Sequence, residues 1–161
     1  MYVAETFIEL PIAISPQTWE EGQLPVLYGF NYNIFIKIYS EKLNEKGMVI
    51  DFKDMNKIVH DYLDQYDHSM ILTADNPLVQ LYKENYKKHG IDFDRSRVFV
   101  WLHHPTVEYM SQHFTEILTE RFKDYGLQFH HLKVIVSENG YEKMTYEDED
   151  QESEYGTKIK N

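Results

Sequence analysis

The sequence predicts an α+β domain in which helices pack on one face of an antiparallel sheet. Three observations carry that expectation. Apolar residues alternate with polar ones over 4–14, 32–38 and 132–136. They recur at helical spacing over 55–63 and 107–122. Their order is two strands, helices, a strand, a long helix and two strands, with no internal repeat and no linker. A single domain is expected over 1–146, ahead of a tail over 147–161.

The elements follow in order. Ala4, Thr6, Ile8, Leu10, Ile12 and Ile14 share one parity, opposite Glu5 and Glu9, and predict a strand. Pro11 lacks an N–H and places that strand's far end at an edge or bulge. Ser15 to Pro25 holds two prolines and a glycine and reads as a loop. Tyr32, Ile34, Ile36 and Ile38 face one side of a second strand, with Asn31, Asn33 and Lys37 on the other. The polar stretch from Ser40 to Gly47 predicts a hairpin-like connection into Met48-Val49-Ile50. Asp51 suits a helix N-cap, and Met55, Ile58, Val59, Tyr62 and Leu63 supply one apolar face. Pro77 starts a short helix striped by Leu78, Leu81, Tyr82 and Tyr86, and Gly90 stops it. Val98 to Trp101 reads as a strand. Thr106 caps a longer helix buried through Val107, Met110, Phe114, Ile117, Leu118 and Phe122 and ended by Gly126. Leu132, Val134 and Val136 form a strand, paired by Tyr141 to Tyr146.

Composition narrows the function. A chain of 161 residues with 42% hydrophobic content can bury a sizeable core. The formal charge of -11 argues against a nucleic-acid binder, because phosphate backbones are held by clustered Lys and Arg, and no such cluster is present. Six acids fall between Glu147 and Glu154 and predict a solvated, mobile tail. No apolar run is long enough to span a membrane and no signal peptide is visible, so a cytoplasmic protein is expected. The chain has no cysteine, which removes disulfides, thiolate metal sites and thiol catalysis.

Five segments together are more specific than any one of them. They are Leu27-Tyr28-Gly29-Phe30-Asn31-Tyr32, Gly47-Met48-Val49-Ile50-Asp51-Phe52, Asp67-His68, Pro105-Thr106-Val107-Glu108, and Glu138 after Val134-Ile135-Val136. In this order the chain, from roughly Phe7 to Tyr146, resembles the 6-pyruvoyltetrahydropterin synthase / 6-carboxytetrahydropterin synthase family. The resemblance implies the tunnelling fold, with subunits joined edge to edge into a β-barrel, commonly a homo-hexamer. It also implies a zinc held by three histidines, two of them in a His-Gly-His segment. Here those two slots hold Tyr28 and Phe30, and no histidine precedes His60. The first-strand region offers only residues such as Ala13, Ile14 and Ser15. The family's cysteine base would fall near Leu24. Zinc is therefore expected from the family, but its ligands are absent, and no metal site is assigned.

Other parts of the pattern remain. Asp67-His68 matches the family's Asp-His pair, and His68 could act alone as a general base near neutral pH; on the plain reading the pair is a polar loop after a helix. Glu138 matches the acid that accepts the donor row of a pterin, and Thr106 and Glu108 match the segment beside it. Plain readings are a strand-end acid and a helix cap. His103-His104 and His130-His131 could each give at most one ligand to a relocated metal site, since neighbours on a strand face opposite ways. The expectation is a divergent homologue that keeps a pocket for a pterin-like or purine-like molecule without the zinc-dependent reaction. Two alternatives stand beside it: a pterin-converting lyase with a rebuilt metal site, and a non-catalytic structural or partner-binding oligomer.

Overall fold

The computed structural model of the chain describes residues 1–15, 22, 25–140 and 142–146. The expected loop after Ser15, the position of Leu24 and the tail over 147–161 lie outside the described residues, wholly or in large part. The elements are β1 (Tyr2–Ile14), β2 (Tyr28–Ser40), α1 (Phe52–Leu63), β3 (Ser69–Thr73), α2 (Pro77–Lys88), β4 (Val98–Trp101), α3 (Val107–Asp124), β5 (His131–Ser137) and β6 (Met144–Thr145). They form one six-stranded sheet in the order β4-β3-β1-β2-β5-β6. The architecture is α+β, as expected.

The long hairpin of β1 and β2 is the spine. It pairs antiparallel from Tyr2 opposite Ser40 to Ile14 opposite Tyr28. Alternation puts Ala4, Ile8, Leu10 and Ile12 of β1 and Tyr32, Ile34, Ile36 and Ile38 of β2 on one buried face. β5 pairs antiparallel with β2 and adds Leu132, Val134 and Val136 to that face. Helices α1 and α3 cover it through Met55, Val59, Leu63, Met110, Phe114, Leu118 and Phe122. Tyr62, Tyr66 and Trp101 ring Phe114 in edge-on and tilted contacts at centroid distances of 5.4 to 6.3 Å.

Three polar residues also lie on the buried face of α3. Ser111 Oγ donates to the Val134 carbonyl at 2.5 Å, and Thr115 Oγ1 accepts from the Val134 N–H at 3.2 Å. β6 pairs only with Ile135 and Val136, so these hydroxyls satisfy backbone groups that the sheet leaves open one residue earlier. Thr119 is buried in the same row.

The sheet is mixed. β3 was not separated from its surroundings in the sequence, and it pairs parallel with β1 at Ile12–Ile14 and parallel with β4. Its run Met70-Ile71-Leu72 is apolar at consecutive positions because both of its faces are covered. Ile71 joins the main core under α1 and α3, while Leu72 packs with Leu78 and Val79 of α2. The helices therefore do not all share one face: α2 covers the opposite side at β3. The expected α2 stripe shifts accordingly, since Val79 is buried and Leu81 is exposed.

Two other expectations are corrected. Met48-Val49-Ile50 is not a strand; the Asn44 side chain accepts from the Lys46 and Met48 N–H groups and folds the segment into a turn. The last strand is only Met144–Thr145. Caps fall where expected at Asp51, which accepts from Lys53 N–H, and at Thr106, which accepts from Tyr109 N–H. Asn76 caps α2 in the same way. Pro11 stands where the open edge of β1 ends. Its carbonyl accepts from His68 N–H at 2.9 Å, and pairing with β3 begins at Ile12.

Candidate functional site

The strongest candidate is a cleft of about 160 Å³ at the end of the sheet, beside the N-terminus of α3. It is lined by Ile14 and Ser15 at the end of β1, by His104, Thr106 and Glu108 at the start of α3, and by Glu138 after β5. The structure thus brings together the three sequence-predicted binding residues Glu138, Thr106 and Glu108. Strand register explains Glu138. The last β2–β5 pair is Asn33 opposite Ser137, so Glu138 continues one step further, opposite Tyr32 and on the same face as Val136. Helix capping explains Thr106: its hydroxyl closes the first turn of α3 at 3.3 Å from Tyr109 N and sets the helix start at the rim of the cleft.

Two buried hydroxyls at this end of the sheet have no hydrogen-bond partner. Ser15 Oγ belongs to a residue only 6% exposed that lines the cleft. The Tyr32 hydroxyl is fully buried and also lacks a partner. Burial first, and then the nearby Glu138 carboxylate, push the Tyr32 phenol well above its usual range. The carboxylate lies close enough to act on the phenol electrostatically, yet the two do not complete a hydrogen bond of ordinary geometry. Orphaned buried polar groups are uncommon and mark places where a further partner fits. A groove of about 540 Å³ between the 42–51 segment and the end of α3 is larger, but none of the orphaned hydroxyls lines it.

Asp67 and His68 form the expected pair: His68 Nδ1 lies 2.9 Å from Asp67 Oδ1. His68 is also the one non-glycine described residue with a left-handed backbone, at φ 52°. It does not line the Glu138 cleft. It lines a separate open groove at the β1–β2 edge, with Pro11, Ile12, Ala13, Gly29, Phe30 and Asn31. Within one chain the acid-base pair and the carboxylate cleft are therefore held apart.

The residues present do not fit a catalytic zinc. Phe30 offers no lone pair, and its ring packs 5.7 Å from that of Tyr32. Tyr28 pairs with Ile14, which has no donor atom in its side chain. Among the described residues, no three or more His, Cys, Asp or Glu side chains are grouped to hold a metal ion. Sequence reasoning missed Tyr32, read only as a core residue, and gave Ser15 no role beyond the first-strand region. Only the β2–β5 register would have placed Tyr32 opposite Glu138. Among the described residues no helix is long and apolar enough to cross a membrane.

The mixed α+β sheet covered by helices is shared with solved structures. A 6-pyruvoyl tetrahydropterin synthase from Plasmodium vivax superposes with a TM-score of 0.63 at 19% identity, covering 91% of this chain and 98% of that one. An uncharacterised protein from Wolinella succinogenes gives 0.66 at 18% identity, covering 92% and 100%. These show the same fold. The 6-pyruvoyl tetrahydropterin synthase family model matches residues 14–149, and the chain belongs to that family. Relatives include the 6-carboxy-5,6,7,8-tetrahydropterin synthases of Aquifex aeolicus, 26% identical over 76% of this chain and 75% of that protein, and of Rickettsia typhi, 30% identical over 70% and 78%.

Proposed function

We propose that this family member binds a pterin-like or purine-like heterocycle through Glu138 and does not carry out a zinc-dependent synthase reaction. One observation carries the reading: Glu138, Thr106 and Glu108 share a cleft whose neighbouring strand presents Tyr28 and Phe30 rather than metal ligands. A carboxylate has two acceptor oxygens, and a pterin edge presents a ring N–H beside an exocyclic amine, so the two match in a bidentate pair. Thr106 sets the wall of the cleft by capping α3, and Ser15 offers an unpaired hydroxyl to a ligand's second edge.

A second reading has one observation in its favour. The Asp67–His68 hydrogen bond, exposed on a left-handed backbone, is suited to orient a general base. Because His68 and Glu138 line different grooves, a second copy of the chain would have to bring its own His68 to the cleft. Edge-to-edge association into a homo-oligomer, such as a hexamer, fits that requirement, and among the described residues the outer edge of β1 has no strand neighbour from Tyr2 to Leu10.

Metal analysis and pterin titration on one protein sample test the proposal. The expected result is zinc far below one per chain, saturable pterin binding, and binding weakened roughly 100-fold by Glu138→Gln. One zinc per chain with turnover abolished by chelation would overturn it.

A further inference from the structure

The sheet has a second face. α1 and α3 cover one side of β1, β2 and β5, and α2 covers the opposite side only at β3. Register lays out what the helix-free side presents in rows across the three strands. Glu5, Lys37 and Lys133 form one row, and Phe7, Phe35 and Ile135 the next. Phe7 stacks on Phe35 at 5.8 Å and stays 59% exposed. Lys143, just before β6, puts its ammonium 4.5 Å from the Phe35 ring centroid, and that of Lys133 lies 5.5 Å from the Tyr39 centroid. Lys37 pairs with Glu5 at 3.0 Å. Counting Glu9, in register with Asn33, this side carries three lysines against two glutamates, in a chain whose formal charge is -11.

The described residues end at the rim of this surface. Thr145 stands opposite Ile135, and the Tyr146 N–H donates to Ser111 Oγ at 2.9 Å, so residue 147 sets out from the outer edge of β5. Residues 147–154 hold six acids and no base. Lys133 is one strand in from β6 and Lys37 two, roughly 5 and 10 Å across the sheet. Eight extended residues span roughly 26 Å, so the acids can reach every lysine on that side.

We propose that residues 147–154 of the same chain dock on the helix-free side of the sheet, with their carboxylates on Lys37, Lys133 and Lys143 and their backbone over the Phe7–Phe35 stack. Opposite charge and reach select this occupant. Each exposed ion pair is weak by itself. Tethering offsets that weakness, because a short connection holds the acids near the lysines at an effective concentration on the order of mM. The ring contacts of Lys133 and Lys143 hold their stems against the sheet, so less side-chain freedom is lost when a carboxylate arrives. The docking does not depend on what the Glu138 cleft binds.

The chain has no cysteine, so Ser153→Cys gives a single thiol for a benzophenone maleimide. Photo-cross-linking of the whole 161-residue chain, mapped by mass spectrometry, tests the docking. At low salt the cross-links are expected on the strand segments around Phe7, Phe35 and Lys133. Lys133→Glu combined with Lys143→Glu is expected to cut their yield about tenfold. Salt at about 1 M, where the Debye length is about 3 Å, is expected to do the same. Circular dichroism checks that the lysine variant is folded. Replacing the six acids by Gln and Asn leaves the domain untouched and is expected to give the same loss. Mixing chains of natural and heavy isotope composition separates the sources, and cross-links within one chain are expected. Cross-links elsewhere on the surface would overturn the proposal. So would yields indifferent to salt and to both charge changes, or heavy-to-light pairs, which would assign the contact to a second copy.

Discussion

The Tyr32 hydroxyl and the Glu138 carboxylate meet at the end of the β2–β5 ladder, one residue past Asn33 opposite Ser137. One is fully buried and unpartnered; the other reaches into a cleft. A buried hydroxyl without a partner of good geometry costs stability in the empty protein.

Tyr32→Phe removes an orphaned buried hydroxyl without changing the shape of the core. It is expected to stabilise the free protein by about 1 kcal/mol, read by urea denaturation, while weakening pterin binding. A loss of stability would show that the hydroxyl has a native partner.

Alkaline stability follows from two phenols. Burial is the main cause that raises Tyr32 and Tyr62 far above the usual value, so both stay protonated in the folded chain at pH values where the unfolded chain ionises. Their stabilising contribution is complete below the unfolded value of about 10 and is lost as pH rises above it, at about 1.4 kcal/mol per pH unit for each group. Denaturation midpoints measured from pH 9 to 12 should fall steeply in the wild type. They should fall less in Tyr62→Phe.

His113 acts at the acid side. Burial lowers its pKa despite nearby Glu116, and its Nε2 lies 3.1 Å from the Tyr62 hydroxyl. The folded chain keeps it neutral while the unfolded chain protonates it near 6.5. Stability is therefore expected to fall as pH drops below that value. His113→Gln should flatten the slope between pH 6.5 and 5; an unchanged slope would assign it to other groups.

His68 holds a left-handed backbone that costs an L residue roughly 1 kcal/mol. His68→Gly is expected to maintain or raise the melting temperature, because glycine adopts that conformation freely. Any loss of activity in the same variant then belongs to the imidazole and not to folding.

Thr106→Ala removes the side-chain cap of α3 and is expected to cost about 1 kcal/mol. Thr106→Ser should restore most of it. A cost near zero would mean that the first turn of α3 is held by the cleft wall alone.

Much of the fold was legible because period and capping are local. The alternation of β1 and β2, the Asp51 and Thr106 caps and the α3 stripe all stand where the sequence predicted them. β3 was missed because a five-residue strand buried on both faces shows no alternation. With it went the parallel pairings and the placement of α2. That Glu138, Thr106 and Glu108 would meet in one cleft was legible from their order in the chain. The Tyr32 contact and the separation of His68 from Glu138 depend on strand register and on which face each side chain takes. Those are long-range facts that no window of sequence carries.

β1 is held on both sides only through Ile12–Ile14. Its preceding residues, Tyr2 to Leu10, have a strand neighbour on one side alone among the described residues. Every second amide there points away from β2. Under the proposed edge-to-edge association, deuterium uptake at those amides is a gauge of company, expected to be fast at high dilution and slower as chains lend one another an edge.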